Sequence, residues 1–163
     1  YEILRSQMEN IVLIGMPGCG KSTVGRLLAE QTGKEFVDAD EKIAQLAGKS
    51  IPEIFAEDGE EVFRSFETKA LEELGKRSGL VIATGGGCVT KERNYPLLHQ
   101  NGTIIWLKRD LDQLPTDGRP LSQAGDLSRM YEIRRPMYEA FADHVIDNND
   151  SVTDTVRAIG ELI

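Results

Sequence analysis

The sequence predicts an α/β sandwich on a parallel sheet. Two observations carry this. Short apolar, β-branched runs alternate with segments of helical spacing along the chain, and the first run ends in a glycine-rich loop that opens onto a helix. That first run, Asn10-Ile-Val-Leu-Ile14, is too continuously apolar for a half-exposed strand and suits one buried on both faces. Val24, Leu27, Leu28 and Gln31 then follow at helical spacing, and Gly33 stands where the helix should end. Glu35 to Asp38 reads as the second strand and Asp40 to Gly48 as a short helix. Ser50-Ile-Pro-Glu53 is a capping box with proline in the first turn, so a new helix starts there. Its apolar stripe, Phe63, Phe66, Ala70, Leu71 and Leu74, runs on to Ser78-Gly79.

Leu80 to Ala83 is the third strand, and three glycines, Gly85, Gly86 and Gly87, follow it. A polar helix with Leu97 and Leu98 leads to a fourth strand, Thr103 to Leu107. The stretch 110–126, rich in Pro, Gly and Asp, reads as a mobile loop. A helix is predicted from Ser128 through Tyr138, with Pro136 kinking or ending it. His144 to Asp147 is the fifth strand, and Thr153 caps a closing amphipathic helix.

At 163 residues the length suits one domain with one core. No apolar run reaches the roughly 18 residues of a membrane helix. Nineteen Lys and Arg against 27 Asp and Glu give a formal charge of −8. That balance argues against nucleic acid or an anionic membrane as partner, so an anionic ligand must be caught locally. The start shows no signal-peptide pattern, which predicts a cytoplasmic, reducing setting with Cys19 and Cys88 as free thiols. Residues 1–9 carry no motif and read as a linker remnant ahead of one domain spanning 10–163. His99 and His144 have no partner at metal or triad spacing.

Gly15-Met-Pro-Gly-Cys-Gly-Lys-Ser22 fits the pattern G-x-x-x-x-G-K-[ST] between a strand and a helix, the context a phosphate-binding loop requires. Gly18, Cys19 and Gly20 would turn backbone N–H groups toward phosphate oxygens, and the helix adds the positive end of its dipole. Lys21 would reach the β- and γ-phosphates, Ser22 would ligate Mg²⁺, and Thr23 would support the α-phosphate side. GTPases, ATPases and small-molecule kinases share this cradle, so the reaction must be read elsewhere.

Asp38-Ala-Asp40 closes the second strand, and strand period two would aim both carboxylates at the carboxyl edge of the sheet. One could hold Mg²⁺ while the other accepts the proton of a hydroxyl to be phosphorylated. Arg64, between two phenylalanines, has Glu67 one turn away to orient its guanidinium. Gly85, Gly86 and Gly87 allow close approach of a ligand to backbone. Arg119, in the loop, could close onto the transferring phosphoryl group. Arg134 and Arg135 add guanidiniums suited to a carboxylate, which points to an acidic acceptor. Cys19 at a helix start and Cys88 beside the glycines would flank the site as reactive thiols.

Taken together, GMPGCGKST, FVDAD, FRSFE, TGGG, GRPL and the run R-x-P-x-Y-x-x-x-A-D from Arg134 to Asp143 resemble shikimate kinase over nearly the whole chain from Asn10. The resemblance implies a P-loop kinase fold with a five-stranded parallel sheet in the order 2-3-1-4-5 and a lid at about residues 110–126. It implies transfer of the γ-phosphate of ATP to the 3-hydroxyl of shikimate, with Mg²⁺ as cofactor; the chain is expected to be a monomer, and its start at Tyr1 rather than Met leaves room for a fusion to another enzyme of the pathway. By motif position, Lys21, Asp40 and Arg119 resemble the catalytic set, with Asp40 on the acceptor hydroxyls. Ser22 and Asp38 resemble the residues that attend Mg²⁺. Arg64, Gly85, Gly86, Gly87 and Arg134 resemble the acceptor-binding set, the two arginines holding the shikimate carboxylate. Two departures concern adenine: the segment Lys108 to Gly118 is several residues shorter than usual and lacks the extra arginine that family members often place before the lid to stack on adenine, and Asn148-Asn-Asp150 has no arginine where some relatives use one. Adenine is then expected to be held by backbone and shape.

Another small-metabolite kinase of this fold, acting on gluconate or a nucleoside monophosphate, would differ in the acceptor pocket. A nucleotide switch or silent regulatory module is the reading from a different class. The absence of an N-K-x-D sequence speaks against a GTPase, and the presence of Lys21, Asp40 and Arg119 together speaks against a silent module.

Overall fold

A computed structural model describes residues 8–114 and 121–163. Five strands form one parallel sheet: β1 (Asn10–Ile14), β2 (Glu35–Asp38), β3 (Leu80–Ala83), β4 (Gly102–Lys108) and β5 (His144–Asp147). Their spatial order is β2-β3-β1-β4-β5, as the resemblance implied. β1 sits at the centre, and every one of its residues is buried, which is why the run has no polar alternation. Seven α-helices among the described residues cover the sheet: α1 (Lys21–Thr32), α2 (Ala39–Ala47), α3 (Ile51–Glu57), α4 (Glu60–Gly75), α5 (Asn94–His99), α6 (Leu121–Phe141) and α7 (Val152–Leu162). None of them is long and apolar enough to cross a membrane.

The main core joins the sheet to residues such as Val24, Leu28, Leu71, Leu98, Tyr138 and Ile159. A second apolar cluster, Ile43, Ile54, Phe63 and Ala70, binds α2, α3 and α4 to one another. This cluster lets the helical segment stand over the carboxyl ends of β2 and β3 with a small core of its own.

Several boundaries differ from expectation. The helix predicted from Ser50 to Ser78 is two, because Gly59 adopts a left-handed φ of 88° and caps α4 while Ile54 O receives both the Asp58 and Gly59 N–H groups. The last helix is capped by Ser151, whose Oγ accepts from Asp154 N–H at 3.1 Å, and not by Thr153. α6 begins seven residues before Ser128 and continues past Pro136 to Phe141. Proline removes one helical hydrogen bond and crowds the preceding turn. Tyr138 and Phe141, buried after it, anchor the following turn against the core and hold the helix together. Within 110–126, residues Leu111–Gln113 form a 3₁₀ turn and 121–126 belong to α6. Met8 and Glu9 are tied into the folded unit: Met8 O accepts from Gly79 N–H and the Thr103 hydroxyl donates to Glu9 Oε1.

Candidate active site

The phosphate loop spans β1 and α1 as the motif required. Gly15, Gly18 and Gly20 have φ values of 152°, 79° and 97°. A side chain is also excluded sterically: a Cβ on Gly15 would lie 2.6 Å from Leu107 O, and one on Gly20 2.6 Å from Asn148 Nδ2. Lys21 is buried, and its ammonium donates to Gly15 O at 2.6 Å and Met16 O at 3.0 Å, so the cation lies inside the curl of the loop. Ser22 and Thr23 expose their hydroxyls in the first turn of α1, where no acidic residue offsets the helix dipole.

The two aspartates meet for a reason other than strand pleating. Asp38 ends β2 and caps α2, with its Oδ1 accepting the Asp40 N–H at 2.9 Å, and Asp40 lies in the first turn of the helix. Capping geometry replaces the expected two-residue alternation: it brings the two carboxylates together and leaves Asp40 within reach of the Lys21 charge. Burial pushes the Asp40 carboxyl above the usual carboxylate range, and the Asp38 charge adds to it; Lys21 and Arg64 act against this rise.

Arg64 and Glu67 form a buried pair on α4, Nη1 to Oε1 at 2.8 Å, with Glu60 a second, longer partner at 3.4 Å. Glu67 is 1% exposed and Arg64 6%, which sets this bridge apart from the solvated surface kind. Burial also raises the Glu67 pKa; Arg64 opposes it, Asp40 reinforces it and Arg134 lowers it. Asp40, Arg64, Glu67 and Arg134 therefore feel one another's charge.

The glycine run after β3 is the floor between these groups. A Cβ on Gly85 would lie 3.1 Å from Asp40 Oδ1 and 3.2 Å from Glu67 Oε2; on Gly86, 2.7 Å from Pro17 Cδ; on Gly87, against the Arg64 guanidinium. All three carbonyls are bonded within the protein, to Cys88 N–H, the Tyr138 hydroxyl and Thr90 N–H. The structure thus assembles Lys21, Asp38, Asp40, Arg64, Glu67, Gly85, Gly86, Gly87 and Arg134 around one edge of the sheet. Arg119 lies outside the described residues. The hydroxyl of exposed Ser22 and the carboxylate of half-buried Asp38, whose Oδ1 caps α2, are hard oxygen donors of the kind Mg²⁺ takes, so the residues present fit that ion.

The thiol expectation is overturned. Cys19 and Cys88 are both free and buried, and burial pushes the Cys88 thiol up to about 12, so it stays a protonated, inert thiol. His99 pairs with Asp143 at 3.3 Å and stacks on Tyr95.

A family model described as shikimate kinase matches residues 17–163. The chain belongs to the shikimate kinase family. A shikimate kinase of Clostridium beijerinckii is 40% identical over 163 residues, covering 96% of each chain. Another, from a Synechococcus strain, is 48% identical over 144 residues, covering 82% of this chain and 73% of its own. The solved structure of shikimate kinase from Acinetobacter baumannii in complex with shikimate superposes with a TM-score of 0.89 at 38% identity, covering 99% of this chain and 96% of that one.

Three contributors escaped the sequence reading. Tyr138, buried, donates its hydroxyl to Gly86 O at 2.6 Å; its position one helical turn beyond Arg134 was the available signal. Asn148, just past β5, donates to Cys19 O at 2.7 Å and accepts from the Thr155 hydroxyl at 2.6 Å, bracing the phosphate loop from behind. Its place at the carboxyl end of a strand was a signal of the same kind. Pro17, variable in the motif pattern, closes against Gly86 and had none.

Proposed function

We propose that this protein transfers the γ-phosphoryl group of ATP to the 3-hydroxyl of shikimate, giving shikimate 3-phosphate and ADP, a step toward chorismate and the aromatic amino acids. The observation that carries the assignment is the buried Arg64–Glu67 pair set against Gly87, with Asp40 and Arg134 beside it, in a chain of this family. A guanidinium fixed by a buried carboxylate is pre-oriented to bind a second, incoming carboxylate bidentately.

In this mechanism Gly18, Cys19, Gly20, Lys21 and Thr23 hold the nucleotide phosphates, with Lys21 neutralising charge on the γ-phosphoryl oxygens. Ser22 and Asp38 would hold Mg²⁺, which when bound would supply positive charge to neutralise the nucleotide phosphates. Arg64 and Arg134 bind the acceptor carboxylate over the floor of Gly85, Gly86 and Gly87, and Asp40 aligns the hydroxyl and takes its proton. The raised pKa of Asp40 suits that task, because a base nearer neutrality accepts a proton more readily than an ordinary carboxylate. Arg119, from the lid at about residues 110–126, meets the phosphoryl group in flight. The enzyme works as one kinase domain over 10–163, a monomer in the cytoplasm.

The test is coupled ADP release with MgATP against shikimate, quinate, gluconate and nucleoside monophosphates, with Lys21→Ala as blank. Turnover with shikimate alone supports the assignment. Turnover only with another acceptor overturns the pocket, and ATP binding with no turnover overturns the kinase.

A further inference from the structure

We infer that Tyr138 is a positioning residue for the acceptor carboxylate, acting through Arg134 and Gly86; this rests on the kinase reading above. Its ring is 0% exposed, stacked 5.5 Å from Trp106 at the sheet. Its hydroxyl sits where three parts of the site meet. It donates to Gly86 O at 2.6 Å, it lies 3.7 Å from Met16 Sδ in the phosphate loop, and Arg134 stands one turn before it on α6, on the same side of the helix, its charge acting on the phenol. A phenol has one proton to give and lone pairs to accept with. Giving the proton to Gly86 O leaves the oxygen to receive an N–H from the guanidinium, so one atom fixes both a floor carbonyl and a binding cation. Burial, opposed by Arg134, raises the phenol pKa further, so the proton stays in place across the working range.

The arrangement also compensates for Pro136. Two residues before Tyr138, it removes a helical hydrogen bond from the segment that carries Arg134. Arg134 is therefore held from the far side of the break by Tyr138, whose ring is anchored on Trp106. Without the hydroxyl, the guanidinium would be free to rotate away from the bidentate orientation that a carboxylate needs.

Tyr138→Phe keeps the ring and its stacking and removes only the hydroxyl. The expected result is a rise of roughly 5- to 10-fold in shikimate KM, the size of one lost hydrogen bond. The value of kcat and the KM for MgATP should stay within about twofold, since uniform binding alone is lost. Direct shikimate binding, read from the fluorescence of Trp106, the chain's one tryptophan, should weaken by the same factor without any turnover. In an Arg134→Ala background the same substitution should add less than about twofold, because the residue acts through that guanidinium. Unchanged shikimate affinity in Tyr138→Phe overturns the inference, and so does equal weakening for both substrates with a lowered melting temperature, the mark of a purely structural role. A wild-type enzyme without shikimate turnover would overturn the kinase reading itself, a distinct result.

Discussion

Gly87→Ala isolates the geometry of the acceptor pocket. The backbone at Gly87 has φ −102°, a value alanine adopts without strain, so the added methyl acts only through what it touches. It touches the Arg64 head, at 2.7 Å from Nη1 and 2.8 Å from Cζ, where ordinary contact begins near 3.4 Å. Arg64 Nη2 lies nearer still, so the guanidinium must retreat by more than about 0.7 Å, the difference of those figures for Nη1, and it is held by Glu67 at 2.8 Å and cannot retreat without loosening that bridge. Overpacking of this kind costs about 1–3 kcal/mol, or several degrees in Tm for a chain of this size. Misaligning a charge-assisted fork costs about 1.5–3 kcal/mol, hence roughly 10- to 100-fold in shikimate KM. The KM for MgATP should move by less than about twofold. Steady-state kinetics and thermal melts measure both. A Gly87→Ala enzyme with wild-type shikimate KM would show that Arg64 does not bind the acceptor in the orientation seen here.

Asp40→Asn should cut turnover by roughly 10²- to 10⁴-fold while raising Tm near neutral pH. Its folded pKa lies above the unfolded value, so its contribution to stability is present at low pH and is lost as pH rises through the folded pKa; a melting temperature unchanged at pH 7 would contradict this. For the same reason the acid limb of kcat/KM should fall above the ordinary carboxylate range, since Asp40 must be unprotonated to act. Asn148→Ala removes the support of Cys19 O and leaves the Thr155 hydroxyl only its longer bond to Ser151 O, so the MgATP KM should rise roughly 5- to 20-fold with shikimate KM unaffected, and equal loss for both would refute a local role. Neither thiol should react with iodoacetamide in the native protein, with or without nucleotide; rapid labelling of Cys88 would contradict its burial.

The order of strands and helices was open to sequence reasoning because the strands are short runs rich in apolar, β-branched residues, several of them closed by glycine or aspartate, and local pattern is enough to see that. What local pattern cannot report is a partner far along the chain. Pro136 looks like a helix terminus until Tyr138 and Phe141 are known to be gripped by the core. Asp40 looks like a strand residue until Asp38 is seen to cap the next helix. The phosphate loop and the Arg64–Glu67 pair were readable, since motif and helical spacing are short-range. Their bracing by Asn148, 129 residues from Cys19, and by Tyr138, 52 residues from Gly86, was not.

The three glycines after β3 each face a different obstacle: two carboxylates for Gly85, a proline for Gly86 and a guanidinium for Gly87. A drug shaped like the acceptor and seated on that floor would therefore meet little escape by point substitution there. Any side chain that crowds out the drug displaces Asp40 or Glu67, the phosphate loop or Arg64, and disables the enzyme along with the inhibitor. Resistance would have to arise away from that floor.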